Sequence, residues 1–283
     1  MKRLALAAAA LTLFAAAAHA HPAVSVVIDS HGNVYYSDLR QVWRVTTDGA
    51  RTVVVPNVHT HELYLDAQDN LYGEHLWYEG DATKKWGHYF WRRTAAGSIE
   101  RIMPAHEPFK NEDDVSFVRD RAGNEYWADR KNNAIIKRTP AGKKAVLARG
   151  TFNDVRFMTV TPEGIVYFVD TLDLLRVTAD GKMSLLARGV STKNLIDLGP
   201  AHHQIMGLWT DQAGNVYAAD NKNNVVKRIA RDGTINIVAR SWLPWSVTGG
   251  AFAPNGDLWL LESAMYEARV RRIDRRALSS VRR

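Results

Sequence analysis

No cysteine occurs among the 283 residues. That excludes disulfides, thiolate metal sites and cysteine nucleophiles, so the folded chain must be held by its core. Long apolar runs are scarce too. One, from Leu4 to Ala18, follows Lys2 and Arg3 and leads into Ala18-His19-Ala20. It falls short of the ~20 residues that span a bilayer, and no second run follows. Charge, apolar run and small-x-small site in that order predict a signal peptide over residues 1–20. The expected protein is periplasmic or secreted and is not integral to a membrane. Convincing helical periodicity is absent. Neither a G-x-x-x-x-G-K-[ST] loop nor a G-x-G-x-x-G fingerprint is present, so no nucleotide cofactor is expected. The lack of a G-x-S-x-G elbow argues against a Ser-His-Asp hydrolase. The net charge is +7, with arginines gathered near the tail at Arg269, Arg271, Arg272, Arg275 and Arg276. No readout element accompanies them, so nucleic acid is not an expected partner, and they read as a solvated face.

What is present is a repeat. Residues 26–38 read VVIDSHGNVYYSD, 117–129 read FVRDRAGNEYWAD and 208–220 read LWTDQAGNVYAAD. Looser copies are LYLDAQDNLYGEH at 63–75, MTVTPEGIVYFVD at 158–170 and GAFAPNGDLWLLE at 250–262. Each copy has two apolar segments around a turn. Glycine holds the turn in five copies and Asp69 in the second, and all tolerate the positive φ of a tight hairpin. Three residues later stands Tyr35, Tyr72, Tyr126, Tyr167, Tyr217 or Trp259, which suits a half-buried strand. A third strand carrying a basic residue follows, then a second glycine turn and a fourth short strand. Six units of four strands predict an all-β fold, a six-bladed β-propeller of four-stranded antiparallel blades. The expected blades span 23–56, 59–103, 113–150, 153–190, 203–241 and 245–282 in one domain, 21–283. With blades 1 and 6 both complete, closure is expected by packing of blade 6 on blade 1.

The pattern D-x-x-G-N-[VIL]-Y-x-x-D, then N-[NR]-[VI]-x-[KR], then D-G, resembles the NHL repeat. It is also similar to the six-bladed propellers of the gluconolactonase and senescence-marker-protein family, over residues 24–276. That resemblance implies a divalent ion at the channel mouth, held by a Glu, an Asn and an Asp, with roles falling near Glu62, Asn153 and Asp154 or Asp113. The chain departs from the family in its richness in histidine and in lacking the first-blade glutamate. The histidines resemble instead the zinc-bearing amidating lyase, whose three imidazoles would correspond to His59 or His61, His106 and His203.

Strand order assigns residues to faces. In a four-stranded blade the loop leading into strand A and the B–C loop share one face. His59, His61, His75, His88, His106, His202 and His203 all fall there, and His31 falls opposite. Strand A lines the channel, and His59, Asp113, Asp154 and Gln204 stand at its start. His59 and His61 point to one side of an extended chain, as ligands to one ion would. The expected metal set is His59, His61, Glu62, Asn153 and His203, for zinc, calcium or manganese. Asp113 and Asp154 are the expected general bases. The recurring acid that ends strand B (Asp38, Asp129, Asp170, Asp220, Glu262) is expected to bond the following turn. Blade 2 breaks that rule with His75 and carries an insertion, LWYEGDATKKWG, at 76–87. Here His75, Trp77, Tyr78, Trp86 and His88 are the expected substrate or partner contacts. The leading function is a metal-dependent lactone or ester hydrolase acting at the channel mouth on a small molecule. The alternatives are a non-catalytic scaffold for a protein, peptide or glycan, and a zinc-dependent lyase. A monomer is expected.

Overall fold

The computed structural model describes residues 22–78, 86–102, 118–192, 204–264 and 267–280. They form six antiparallel sheets, each one blade of a β-propeller. Blade 1 is β1 (Val26–Ile28), β2 (Val34–Ser37), β3 (Gln41–Val45) and β4 (Arg51–Pro56). Blade 2 is β5 (Leu63–Leu65), β6 (Leu71–Tyr78), β7 (Trp86–Arg93) and β8 (Ile99–Arg101). Blade 3 is β9 (Val118–Arg119), β10 (Glu125–Asp129), β11 (Ala134–Arg138) and β12 (Lys144–Arg149). Blade 4 is β13 (Val155–Val160), β14 (Val166–Asp170), β15 (Asp173–Val177) and β16 (Met183–Ala187). Blade 5 is β17 (Ile205–Thr210), β18 (Val216–Asp220), β19 (Val225–Ile229) and β20 (Ile235–Arg240). Blade 6 has β21 (Ser246–Phe252), β22 (Leu258–Ala264) and β23 (Glu267–Ile273), and the short helix α1 (Arg275–Ser280) follows.

The repeat is a hydrogen-bonding device. Asp120 accepts from the backbone N–H groups of Ala122 and Asn124, from Asn124 Nδ2 and from the Tyr126 hydroxyl at 2.8 Å. Asp29, Asp66 and Asp211 bind their own Asn and Tyr in the same way. The carboxylate thus closes the A–B turn and fixes the next strand. Asp69, standing where the other copies have glycine, adopts φ 59°. It also accepts the Ser30 N–H from the neighbouring blade at 3.0 Å, a bond glycine has no side chain to make.

Apolar faces of adjacent blades pack on each other. One cluster joins Tyr35, Val42 and Val55 of blade 1 to Leu63, Leu71 and Trp91 of blade 2. Others join blades 3 and 4, 4 and 5, and 5 and 6. Ala23, Val26, Val34 and Tyr36 pack on Leu261 and Ala268 to join blade 1 to blade 6. Between blades 2 and 3 the Arg119 guanidinium lies over Tyr64 and Tyr72, 5.1 and 5.9 Å from the ring centres.

Blade 6 departs from expectation. It has three strands among the described residues, because the chain turns into α1 where a fourth strand would start. Leu278 of α1 packs instead against the core shared by blades 5 and 6. Among the described residues side-chain packing joins blade 6 to blade 1, and no backbone hydrogen bond from residues 22–25 to blade 6 is described.

Candidate functional site: the central channel and its blade 2 wall

A cavity of about 1300 Å³ runs through the centre. The innermost strands build its wall, with Val27 from β1, Tyr64 from β5, Arg119 from β9, Thr159 from β13 and Ala251 from β21. Alternation along a strand sends every second side chain inward. Blade 2 adds two carboxylates to that wall, Glu62 and Glu74.

Blade 2 is unusual in its middle hairpin. β6 and β7 stay paired from Leu71↔Arg93 to Tyr78↔Trp86, so much of the apparent insertion is strand. Residues 79–85 and the side chains of Tyr78 and Trp86 lie outside the described residues. The His75 ring stacks on Trp77 at 5.5 Å and lies tilted against Tyr89 at 5.0 Å, and Arg101 caps Tyr89 at 4.0 Å. Trp77 lies close over Gly87, where a Cβ would approach it to 1.8 Å.

His75 Nδ1 accepts the His59 N–H at 2.9 Å. That bond ties the loop leading into β5 to the end of β6 and confirms that the two share a face. His59 Nε2 and His61 Nε2 stand 3.0 Å apart, their rings edge to face. Burial holds the His59 imidazole below its ordinary range. It does the same to His75, helped by repulsion from His59, Arg101 and His88. Both shifts favour the uncharged ring, the form that accepts hydrogen bonds or binds metal.

His88 is fully buried, edge-on to Phe90. It faces Glu74 and is shielded from solvent. Its Nε2 stands 3.3 Å from Glu74 Oε2 without the alignment of a hydrogen bond. Glu74 is 8 % exposed. Its carbonyl oxygen accepts Trp91 Nε1–H at 3.0 Å and the Thr60 hydroxyl.

Asn153 and Asp154 are tied within blade 4, their N–H groups donating to Asp170 at 2.9 and 2.7 Å. Asp113, His106, His202 and His203 lie outside the described residues. Among the described residues no three His, Asp or Glu side chains are placed to hold one metal ion. Asp38 and Asp129 do bond the following turn, and Asp220 reaches Asn223 in its own turn. Asp170 instead holds the start of its own blade, and Glu262 accepts Ser241, Arg269 and Arg271.

Glu74 was not singled out from the sequence, although a signal was there. The residue preceding the end of strand B is Ser37, Ala128, Val169, Ala219 or Leu261 in the other blades. Only blade 2 puts a carboxylate at that place.

No protein-family profile matches the chain, and no curated protein does. Solved structures do match. A calcium-binding protein, regucalcin, from Agrobacterium tumefaciens superposes with a TM-score of 0.57 at 19% identity, over 92% of this chain and 86% of that one. A gluconolactonase from Xanthomonas campestris gives 0.58 at 14%, over 88% and 86%. A streptogramin B lyase gives 0.52 at 14%, over 88% and 78%. The chain is a six-bladed β-propeller. At these identities it shares the fold of gluconolactonase and regucalcin, and a propeller fold hosts many chemistries. What the channel does must be argued from its own residues.

Proposed function

We propose that this propeller is an exported monomeric hydrolase of small lactones or esters, acting within its central channel. One observation carries the reading: an inward wall with two carboxylates, Glu62 and Glu74, facing a cavity of about 1300 Å³. Small-molecule sites are concave and carry a few placed polar groups, and this cavity has Glu62, Glu74 and Arg119 in its wall. The aromatic hairpin of blade 2 favours the hydrolase over a partner-binding scaffold, because Trp77 is committed to His75, Tyr89 and Gly87.

The metal part of the reading meets a shortage of donors. Resident zinc takes at least three protein ligands, and the described residues offer His59 and His61 as a pair with no third donor converging on them. A divalent ion here would need donors from outside the described residues, with His203 and Asp113 named by chain position. No step is routed through it. Elemental analysis of untagged mature protein, beside a His59→Ala/His61→Ala variant, tests this point. An equivalent of zinc, calcium or manganese lost in the variant would establish the ion.

Activity is tested with purified mature protein on aliphatic γ- and δ-lactones and p-nitrophenyl esters, with and without those three ions. Turnover above the buffer rate is expected. A folded protein that turns over none of them sinks the hydrolase reading.

A further inference from the structure

We propose that Glu74 is the acid–base residue of the channel and that His88, behind it, is its positioning residue. This rests on the hydrolase reading above. Three features single Glu74 out. It stands at a position where every other blade has a small or apolar side chain. It lines the cavity, yet is 8 % exposed. Its backbone is pinned from two sides by Trp91 and Thr60. A carboxylate on a rigid central strand, held by buried neighbours, is what a proton-transfer group needs.

His88 explains how a carboxylate is kept there. An unpaired buried charge is costly, and a partner behind it offsets that cost. The imidazole is fully buried and 3.3 Å from Oε2. Its Nε2 stands beside one carboxylate oxygen, Oε2, of a residue that lines the cavity. Catalytic hydrogen bonds are often loose in the free enzyme and tighten with substrate.

The step balances without a co-reactant other than water. Water oxygen adds to the lactone or ester carbonyl carbon while Glu74 takes the water proton. The carbonyl π electrons move to oxygen. When they return, the carbon–alkoxy bond breaks and Glu74 gives its proton to the leaving oxygen. Ester plus water becomes acid plus alcohol, a hydroxy acid when the ester is a lactone, with Glu74 regenerated.

The test uses the full mature chain and the same lactones and p-nitrophenyl esters. Glu74→Gln keeps shape and removes the base. The expected result is a kcat lower by about 10²–10⁴-fold, with KM unchanged and the thermal midpoint retained. Formate should restore part of the rate to Glu74→Ala, by supplying the missing carboxylate. His88→Asn should lower kcat at unchanged KM, and by less than Glu74→Gln. Wild-type turnover with an undiminished kcat in Glu74→Gln would overturn the assignment alone and leave the hydrolase reading standing. No turnover by wild type would overturn both. If His88→Asn fails to fold, the Glu74 variants decide.

Discussion

At Tyr126 a single hydroxyl shows how the repeat works. Burial, then the hydrogen bond to Asp120 and its charge, push the phenol far above its ordinary value. The ring sits in the interblade core while its oxygen donates to a carboxylate that closes the turn. A hydrogen bond to a charged group contributes about 1.5–3 kcal/mol, so Tyr126→Phe should cost about that much in urea unfolding. Tyr167 is a built-in control. In blade 4 Thr161 replaces the aspartate, accepting the Ile165 N–H at 3.2 Å, and no carboxylate bond to the Tyr167 hydroxyl is described. Tyr167→Phe should therefore cost less than Tyr126→Phe. Equal losses would mean that the ring, and not the hydroxyl, carries the stabilisation. The aspartate, asparagine and tyrosine were legible in the sequence because they act within one hairpin. Glu74 was harder to read because its partner, His88, arrives from the facing strand.

Among elements, the end of β22 depends most on one side chain. Glu262 is fully buried and accepts Ser241 Oγ at 2.7 Å and the Nε atoms of Arg269 and Arg271, both at 2.8 Å. Burial pushes its carboxyl up, but the bonds from Arg271, Ser241 and Arg269 outweigh it and hold the group below its usual range. It joins β22 to β23 and to the segment that leaves blade 5. Removing one partner of a buried pair costs about 3–5 kcal/mol, so Glu262→Ala should lose about that in a denaturant titration. The sign with pH follows from the depressed pKa. Folded Glu262 holds its proton more weakly than unfolded Glu262, so its contribution is complete above the unfolded value of about 4.5 and fades as pH falls below it. In acid, the wild-type midpoint should drop toward that of Glu262→Ala. A constant gap between the two down to low pH would contradict this role. That the recurring acid is structural was legible from its recurrence. Which groups it binds differs from blade to blade, and tertiary packing decides that.

For the whole molecule, the closing seam and the tyrosines set the limits of stability. A Cβ on Gly249 of β21 would come within 2.2 Å of the Val24 carbonyl oxygen. Blade 6 can approach blade 1 this closely only without a side chain there. Overpacking costs about 1–3 kcal/mol, and Gly249→Ala should lower the thermal midpoint accordingly. An unchanged midpoint would show that the seam can open freely. The phenols act together at alkaline pH. Burial, with Asp38 adding to it and Arg51 opposing, pushes Tyr36 up to about 12. Tyr35, Tyr64, Tyr72 and Tyr217 are raised too. With raised folded values, protons leave the unfolded chain first as pH climbs. Stability is then full below about pH 10, the unfolded value, and is lost as pH rises toward about 12. Denaturant midpoints between pH 8 and 12 should show that decline, and a flat profile would contradict it.

The sequence by itself determined the six blades, because each copy carries its own turn residue and its own aromatic, and in four of them an aspartate bonds its own asparagine and tyrosine at short range. It also determined the face on which His59 and His75 meet, since strand order alone places both there. Only the tertiary structure decided that blade 6 ends in a helix, that Asn153 and Asp154 answer to Asp170, and that Glu74 meets the cavity with His88 behind it. Those outcomes depend on register and on packing between strands and blades, where partners distant in the chain compete for the same groups.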